Sequence, residues 1–103
     1  MDSGNVAPAQ RGRDTAGDQS AREELRRGVV WADIVDTSEQ ISEGGEASRL
    51  AVLHEHRAAR WRRYAGLAPE AGYATAASIA AQLDDEKAAT YRTAINNRGE
   101  GAA

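Results

Sequence analysis

Alanine fills 22 of the 103 positions, and five rings (Trp31, Trp61, Tyr64, Tyr73 and Tyr91) make up the aromatic content of a chain that has no phenylalanine. Side chains this small bury little surface apiece, so a core made from them needs backbones that approach closely. Paired helices meet that requirement, whereas strands draw on β-branched and aromatic residues. The expectation is an all-α fold, a small bundle of three to four helices with a disordered N-terminal tail. Few large side chains are present to offset the ordering entropy of the chain, so a monomer is expected to be only marginally stable and to gain from self-association.

Residues 1–20, MDSGNVAPAQRGRDTAGDQS, contain one large aliphatic side chain, Val6, among Gly, Pro, Ser, Asp and Arg. Nothing there is worth burying, and the segment reads as a disordered tail. Residues 21–99 read as a single helical domain and 100–103 as a disordered C-terminus. No apolar run reaches the roughly 20 residues of a membrane span, and residues 1–21 have no hydrophobic stretch of the signal-peptide kind. Cysteine is absent, which excludes disulfides, thiolate nucleophiles and sulfur-ligated zinc. A cytoplasmic location and no membrane partner follow as expectations. Twelve arginines against the single Lys87, with abundant Ala and Gly, suggest the codon bias of a high-GC bacterial or phage genome.

Ser20 with Glu23 has the spacing of a capping box and opens a helical segment in which Leu25, Val29, Ala32 and then Val35 recur at helical intervals. The β-branched residues at 29, 30, 34 and 35 leave a short strand over 29–35 open. Thr37 with Gln40 offers a second cap for a brief helix over 38–42, and Gly44-Gly45 forms the clearest internal boundary. The strongest helix follows: Ala47, Leu50, Ala51, His54, Ala58, Trp61 and Ala65 share one face, and Gly66 and Pro69 end it. Beyond Thr75, Ile79, Ala80 and Leu83 read as an inner face. Asp84 then reads as the cap of a last helix, although one continuous helix over 76–97 stays open.

Chemical motifs are sparse. His54-Glu55-His56 contains metal-ligating types, but helical ligand pairs need a spacing of three or four, so no metal and no cofactor is expected. Asp33 with Asp36, and Asp84 with Asp85, read as caps or solvated carboxylates. No nucleophile stands in a recognisable relay, and no catalytic residue is expected.

Charge is more informative. Residues 46–66 carry five arginines against two glutamates, while the whole chain has a net charge of −3. Arg49, Arg60 and Arg63, with His56, fall on one stripe, and Arg57 is nearby; such a helix could present cations to phosphates. The competing reading pairs these arginines with acidic residues of the N-terminal helix, notably Glu23, Glu24, Asp33 and Asp36.

The stretch IAAQLDDEKAATYRTAI, residues 79–95, resembles the helix-turn-helix of bacterial transcription regulators. Ile79, Ala80 and Leu83 match its first helix, and Tyr91 and Arg92 match the TVYR-like residues of its second. The resemblance implies a tight turn near Asp84 and a second helix in the DNA major groove, with Lys87, Thr90 or Arg92 facing bases or phosphates. Asp84, Asp85 and Glu86 depart from the pattern at the turn and would repel phosphate. Two functions are therefore expected. The leading one is a small nucleic-acid-binding accessory or regulatory protein whose partner is double-stranded DNA. The alternative is a non-catalytic helical interaction module, a small subunit, adaptor or antitoxin-like partner, whose Trp31, Trp61 and Tyr64 complete their burial against a protein partner or a second copy.

Overall fold

The structure, a computed structural model, describes the backbone of residues 2–102 and the side chains of residues 17–98. It is all-α. Helix α1 spans Asp2–Ser42, α2 Ala47–Leu67 and α3 Ala71–Ala102. The tail expected over residues 1–20 lies outside the described side chains as far as residue 16, and Gly17 to Ser20 form an exposed stretch of α1. The segment 100–103 likewise lies outside them.

Two tight connections make consecutive helices antiparallel. The first is the Gly44-Gly45 break: their φ angles of 76° and 130° lie where a side chain is strained, and the Gly44 N–H closes the helix end by donating to the Ile41 carbonyl at 3.0 Å. Arg49 donates to the Gly44 carbonyl at 2.7 Å and ties this corner to the start of α2. The second is the Ala68-Pro69-Glu70 turn, where Arg27 of α1 donates to the Leu67 carbonyl at 3.1 Å. A cation at a helix C-terminus satisfies a carbonyl that has no intrahelical donor.

Helix α2 is the spine: among the described residues, α1 and α3 both pack on it and not on each other. On α1 the inner stripe is Val30, Ile34 and Thr37, all buried, with Ile41 partly so. Residues 29–35 are thus helical. Burying Val30 and Ile34 contributes roughly 1.5–3 kcal/mol each, more than the propensity penalty of under about 1 kcal/mol for a β-branched residue in a helix. The apolar set that recurs at helical intervals, Leu25, Val29, Ala32 and Val35, points the other way, with Leu25 69 % and Val29 70 % exposed. Ser20 and Thr37 do not begin helices. Thr37 sits mid-helix and donates its hydroxyl to the Asp33 carbonyl at 2.7 Å.

The α2–α3 seam is built from small residues in heptad spacing. Ala47, Ala51, His54, Ala58, Trp61 and Ala65 line α2; Ala77, Ala81, Asp84, Ala88, Tyr91 and Ile95 line α3. Ala51 and Ala58 are fully buried, and Ala77, Ala81 and Ala88 nearly so. Ile79 and Leu83, expected inside, are 54 % and 60 % exposed. Large side chains in this seam would hold the backbones apart, whereas alanines let two helices lie close over several turns. Helix α3 therefore continues unbroken through Asp84, Asp85 and Glu86 instead of splitting in two.

Candidate functional site

At the middle of the seam lies a buried polar cluster. Asp84, 4 % exposed, receives the Nδ1 of His54 at 2.8 Å and two guanidinium bonds from Arg57, Nε at 2.8 Å and Nη2 at 2.7 Å. The third arm of Arg57, Nη1, donates to Ser38 Oγ at 3.0 Å, so one side chain on α2 links α1 and α3. Ser38 donates its own hydroxyl hydrogen bond to the Ile34 carbonyl at 2.7 Å. The His54 ring, 6 % exposed, stacks on Tyr91 with centroids 5.8 Å apart, and Lys87 Nζ stands over the same Tyr91 ring at 5.3 Å. With Asp84 accepting, the Nδ1–H form of His54 is the one that fits. The cluster's charges are paired and its hydroxyl is committed, so its chemistry is that of a registry lock for three helices.

The other basic residues of α2, Arg63 excepted, are paired nearer the surface. Arg60 Nε stands 2.8 Å from Asp33 Oδ2, out of line for a hydrogen bond, and His56 Nε2 meets the same oxygen at 3.0 Å. Arg62 pairs with Asp85, Arg92 with Glu55, and Arg49 lies 4.0 Å from Glu43. The hydrogen bond that Arg62 donates to Asp85, and the negative charge of that carboxylate, raise the Arg62 guanidinium above its ordinary pKa. Of the residues expected to meet nucleic acid, Arg49, Arg57, Arg60 and Arg92 are thus engaged within the fold, Lys87 rests on Tyr91, and Thr90 donates to the Glu86 carbonyl at 3.0 Å. Arg63 alone of that set is exposed without a partner among the described residues, and Arg22 and Arg26 on α1 share that condition. Arg26 and Arg63 border one groove, Arg22 and Arg26 another. The turn implied by the helix-turn-helix resemblance falls inside continuous α3, where Asp84 points into the seam.

The three expected interface residues do come together. Trp31 lies edge-on to Trp61 at 5.9 Å and tilted against Tyr64 at 5.8 Å, and Trp61 meets Tyr64 edge-on at 6.1 Å. Their cluster closes the α1–α2 pair at the surface, with Trp31 49 % exposed. Next to it runs a second surface feature. Ala21, Leu25, Gly28, Val29 and Ala32 line a groove on the outer side of α1, opposite Val30 and Ile34, and Val35 continues the line at 41 % exposure. Among the described residues, no helix is long and apolar enough to cross a membrane.

The chain matches no family model, no curated protein and no solved structure.

Proposed function

We propose that this protein is a non-catalytic helical interaction module whose working surface is the outer face of α1 together with the Trp31–Trp61–Tyr64 cluster. The observation that carries it is the exposure of Leu25 and Val29, at 69 % and 70 %, beside a half-exposed tryptophan. A single exposed leucine means little, but Leu25, Val29 and Ala32 line one groove, and Gly28 belongs both to it and to the neighbouring groove at Trp31 and Tyr64, so the two together form the kind of patch that binds a partner. Tryptophan, tyrosine and arginine are the common anchors of such interfaces, and Arg27 and Arg63 flank this one. The internal pairing of Arg49, Arg57, Arg60 and Arg92 supports this reading over phosphate binding, because each pair would have to open before its cation met DNA.

The test is photo-crosslinking in cells of the native host, with a photoreactive amino acid at position 31 and, as control, at the exposed Gln82. A discrete protein adduct from position 31 alone is expected; identical patterns from both positions refute the reading.

A second reading keeps nucleic acid as the partner and rests on Arg22, Arg26 and Arg63. Fluorescence anisotropy of labelled double-stranded DNA at low and moderate salt decides it. Saturable, salt-sensitive binding that Arg26→Ala with Arg63→Ala abolishes favours it, and absence of binding at both salt concentrations removes it.

A further inference from the structure

We infer that the outer face of α1 binds a second copy of this chain, pairing α1 with α1 in an antiparallel two-fold arrangement centred near Val29 and Val30. The inference rests on the reading above that this face is an interface, and it names the partner.

The face carries a heptad pattern of its own. Ala21, Leu25, Gly28, Ala32, Val35 and Glu39 alternate at spacings of four and three, all exposed, on the side of α1 turned away from α2. This is the spacing that joins α2 to α3, again with small residues where backbones must approach, but on α1 the seam is unpartnered. Setting two copies antiparallel places Leu25 opposite the partner's Val35 and Gly28 opposite the partner's Ala32, so large meets large and small meets small, twice each by symmetry.

The flanking charges select the direction. Arg22 and Asp36 lie seven residues on either side of Val29 and on the same edge of the stripe. In an antiparallel pair that edge faces its own symmetry mate, which puts Arg22 of each copy beside Asp36 of the other. A parallel pair stacks Glu39 on its own copy at one layer, whereas the antiparallel pair sets Glu39 against the partner's Ala21. Among the described residues, α3 does not pack on α1 and leaves this face of 21–39 open. The contact covers residues 21–39, about 28 Å of helix. That is at the small end of specific interfaces, and a micromolar dissociation constant is expected.

Sedimentation equilibrium of the purified chain over a micromolar concentration series reads the association directly. A monomer–dimer equilibrium is expected. Val29→Glu, which sets two like charges against each other at the edge of the seam beside the two-fold axis, raises the dissociation constant at least about tenfold, with far-UV circular dichroism unchanged because Val29 is 70 % exposed. Arg22→Asp and Asp36→Arg each weaken pairing about fivefold, from two surface ion pairs lost per dimer, and the double variant restores it.

Because the chain lacks cysteine, single-cysteine variants report orientation without background. Val29→Cys is expected to cross-link through a short bis-maleimide, and Ser42→Cys is not, since antiparallel pairing separates the two copies of residue 42 by about 36 Å along the helix. A chain that stays monomeric throughout overturns the pairing, as does cross-linking from position 42 but not from 29. If the monomeric chain still gives a photo-adduct with another protein from position 31, the interaction-module reading survives the loss of its proposed partner; if neither appears, both fall.

Discussion

Replacing Asp84 by alanine tests the central structural claim, that a buried charge cluster holds three helices in register. The carboxylate accepts from His54 and twice from Arg57 at 2.7–2.8 Å, and its side chain is 5 % exposed. A net hydrogen bond to a charged group contributes about 1.5–3 kcal/mol, yet these three share one acceptor and cannot be added. The Arg57 side chain is 22 % exposed and recovers some hydration once released, whereas His54 stays enclosed against Tyr91. The expected loss is therefore the about 3–5 kcal/mol typical of breaking a buried ion pair from one side. Against a total stability of about 5–15 kcal/mol for a domain, that leaves a small chain partly unfolded at room temperature. Urea unfolding followed by far-UV circular dichroism gives the number. Replacing all three groups together, His54→Leu, Arg57→Met and Asp84→Leu, should recover much of the loss, because no uncompensated charge remains inside. An Asp84→Ala loss below about 1 kcal/mol, with an unchanged denaturant slope, would refute the argument.

Three further outcomes follow from the packing. Ala81→Leu forces a large side chain into the α2–α3 seam at a residue 1 % exposed and should cost about 1–3 kcal/mol in the same denaturation assay. Gly44→Ala meets no atom within 4 Å, so its loss of about 1–2 kcal/mol comes from the positive φ alone, read as a lowered urea midpoint. Leu25→Gln, at a site 69 % exposed, should change stability by less than about 0.5 kcal/mol when measured at high dilution, while weakening self-association in sedimentation.

The sequence made some of this fold legible and hid the rest for identifiable reasons. The inner face of α2 and its stop before Pro69 were readable because one clean apolar stripe ends at a proline, although Gly66, expected to break the helix, is helical and α2 runs on to Leu67. Helix α1 was harder because it has two stripes, Leu25-Val29-Ala32-Val35 and Val30-Ile34-Thr37-Ile41, at the same period. Periodicity establishes that both are helical faces but not which one meets α2. In α3, hydropathy gives weight to Ile79 and Leu83, whereas close packing selects Ala77, Ala81 and Ala88 and sends the larger residues outward. The same preference for small residues concealed the heptads.

Asp84 was misplaced for a different reason. A carboxylate after an apolar run has the local signature of a helix cap, and only partners 27 and 30 residues away, Arg57 and His54, reveal it as a buried acceptor. The possibility that the arginines of 46–66 pair with α1 was readable from the acidic composition of that helix, and Asp33 fulfils it with Arg60 and His56. Most of the remaining pairing runs to α3 instead, through Asp84, Asp85 and the Glu55–Arg92 contact.

That distribution of ion pairs makes the nucleic-acid reading quantitative. DNA binding releases counterions in proportion to the phosphates neutralised, with a log–log salt slope of roughly −0.9 per contact. If the intramolecular pairs persist in the complex, Arg22, Arg26, Arg63 and Arg98 are the exposed arginines without an ion-pair partner among the described residues, and four such contacts give a slope of roughly −3.6. A net charge of −3 adds long-range repulsion, which lowers affinity at low salt and flattens the dependence further. Titrating labelled duplex DNA at several salt concentrations measures the slope. A value of about −5 or steeper requires more cations than these four arginines, to be supplied by Lys87, Arg11 or Arg13, or by Arg49, Arg57, Arg60 or Arg92 exchanging a carboxylate for phosphate. Repeating the titration with Glu55→Gln, which frees Arg92 without touching the buried cluster, then separates the cases: a slope steeper by about one unit means that a released arginine is recruited, and an unchanged slope means that α2 and α3 keep their basic residues out of the contact.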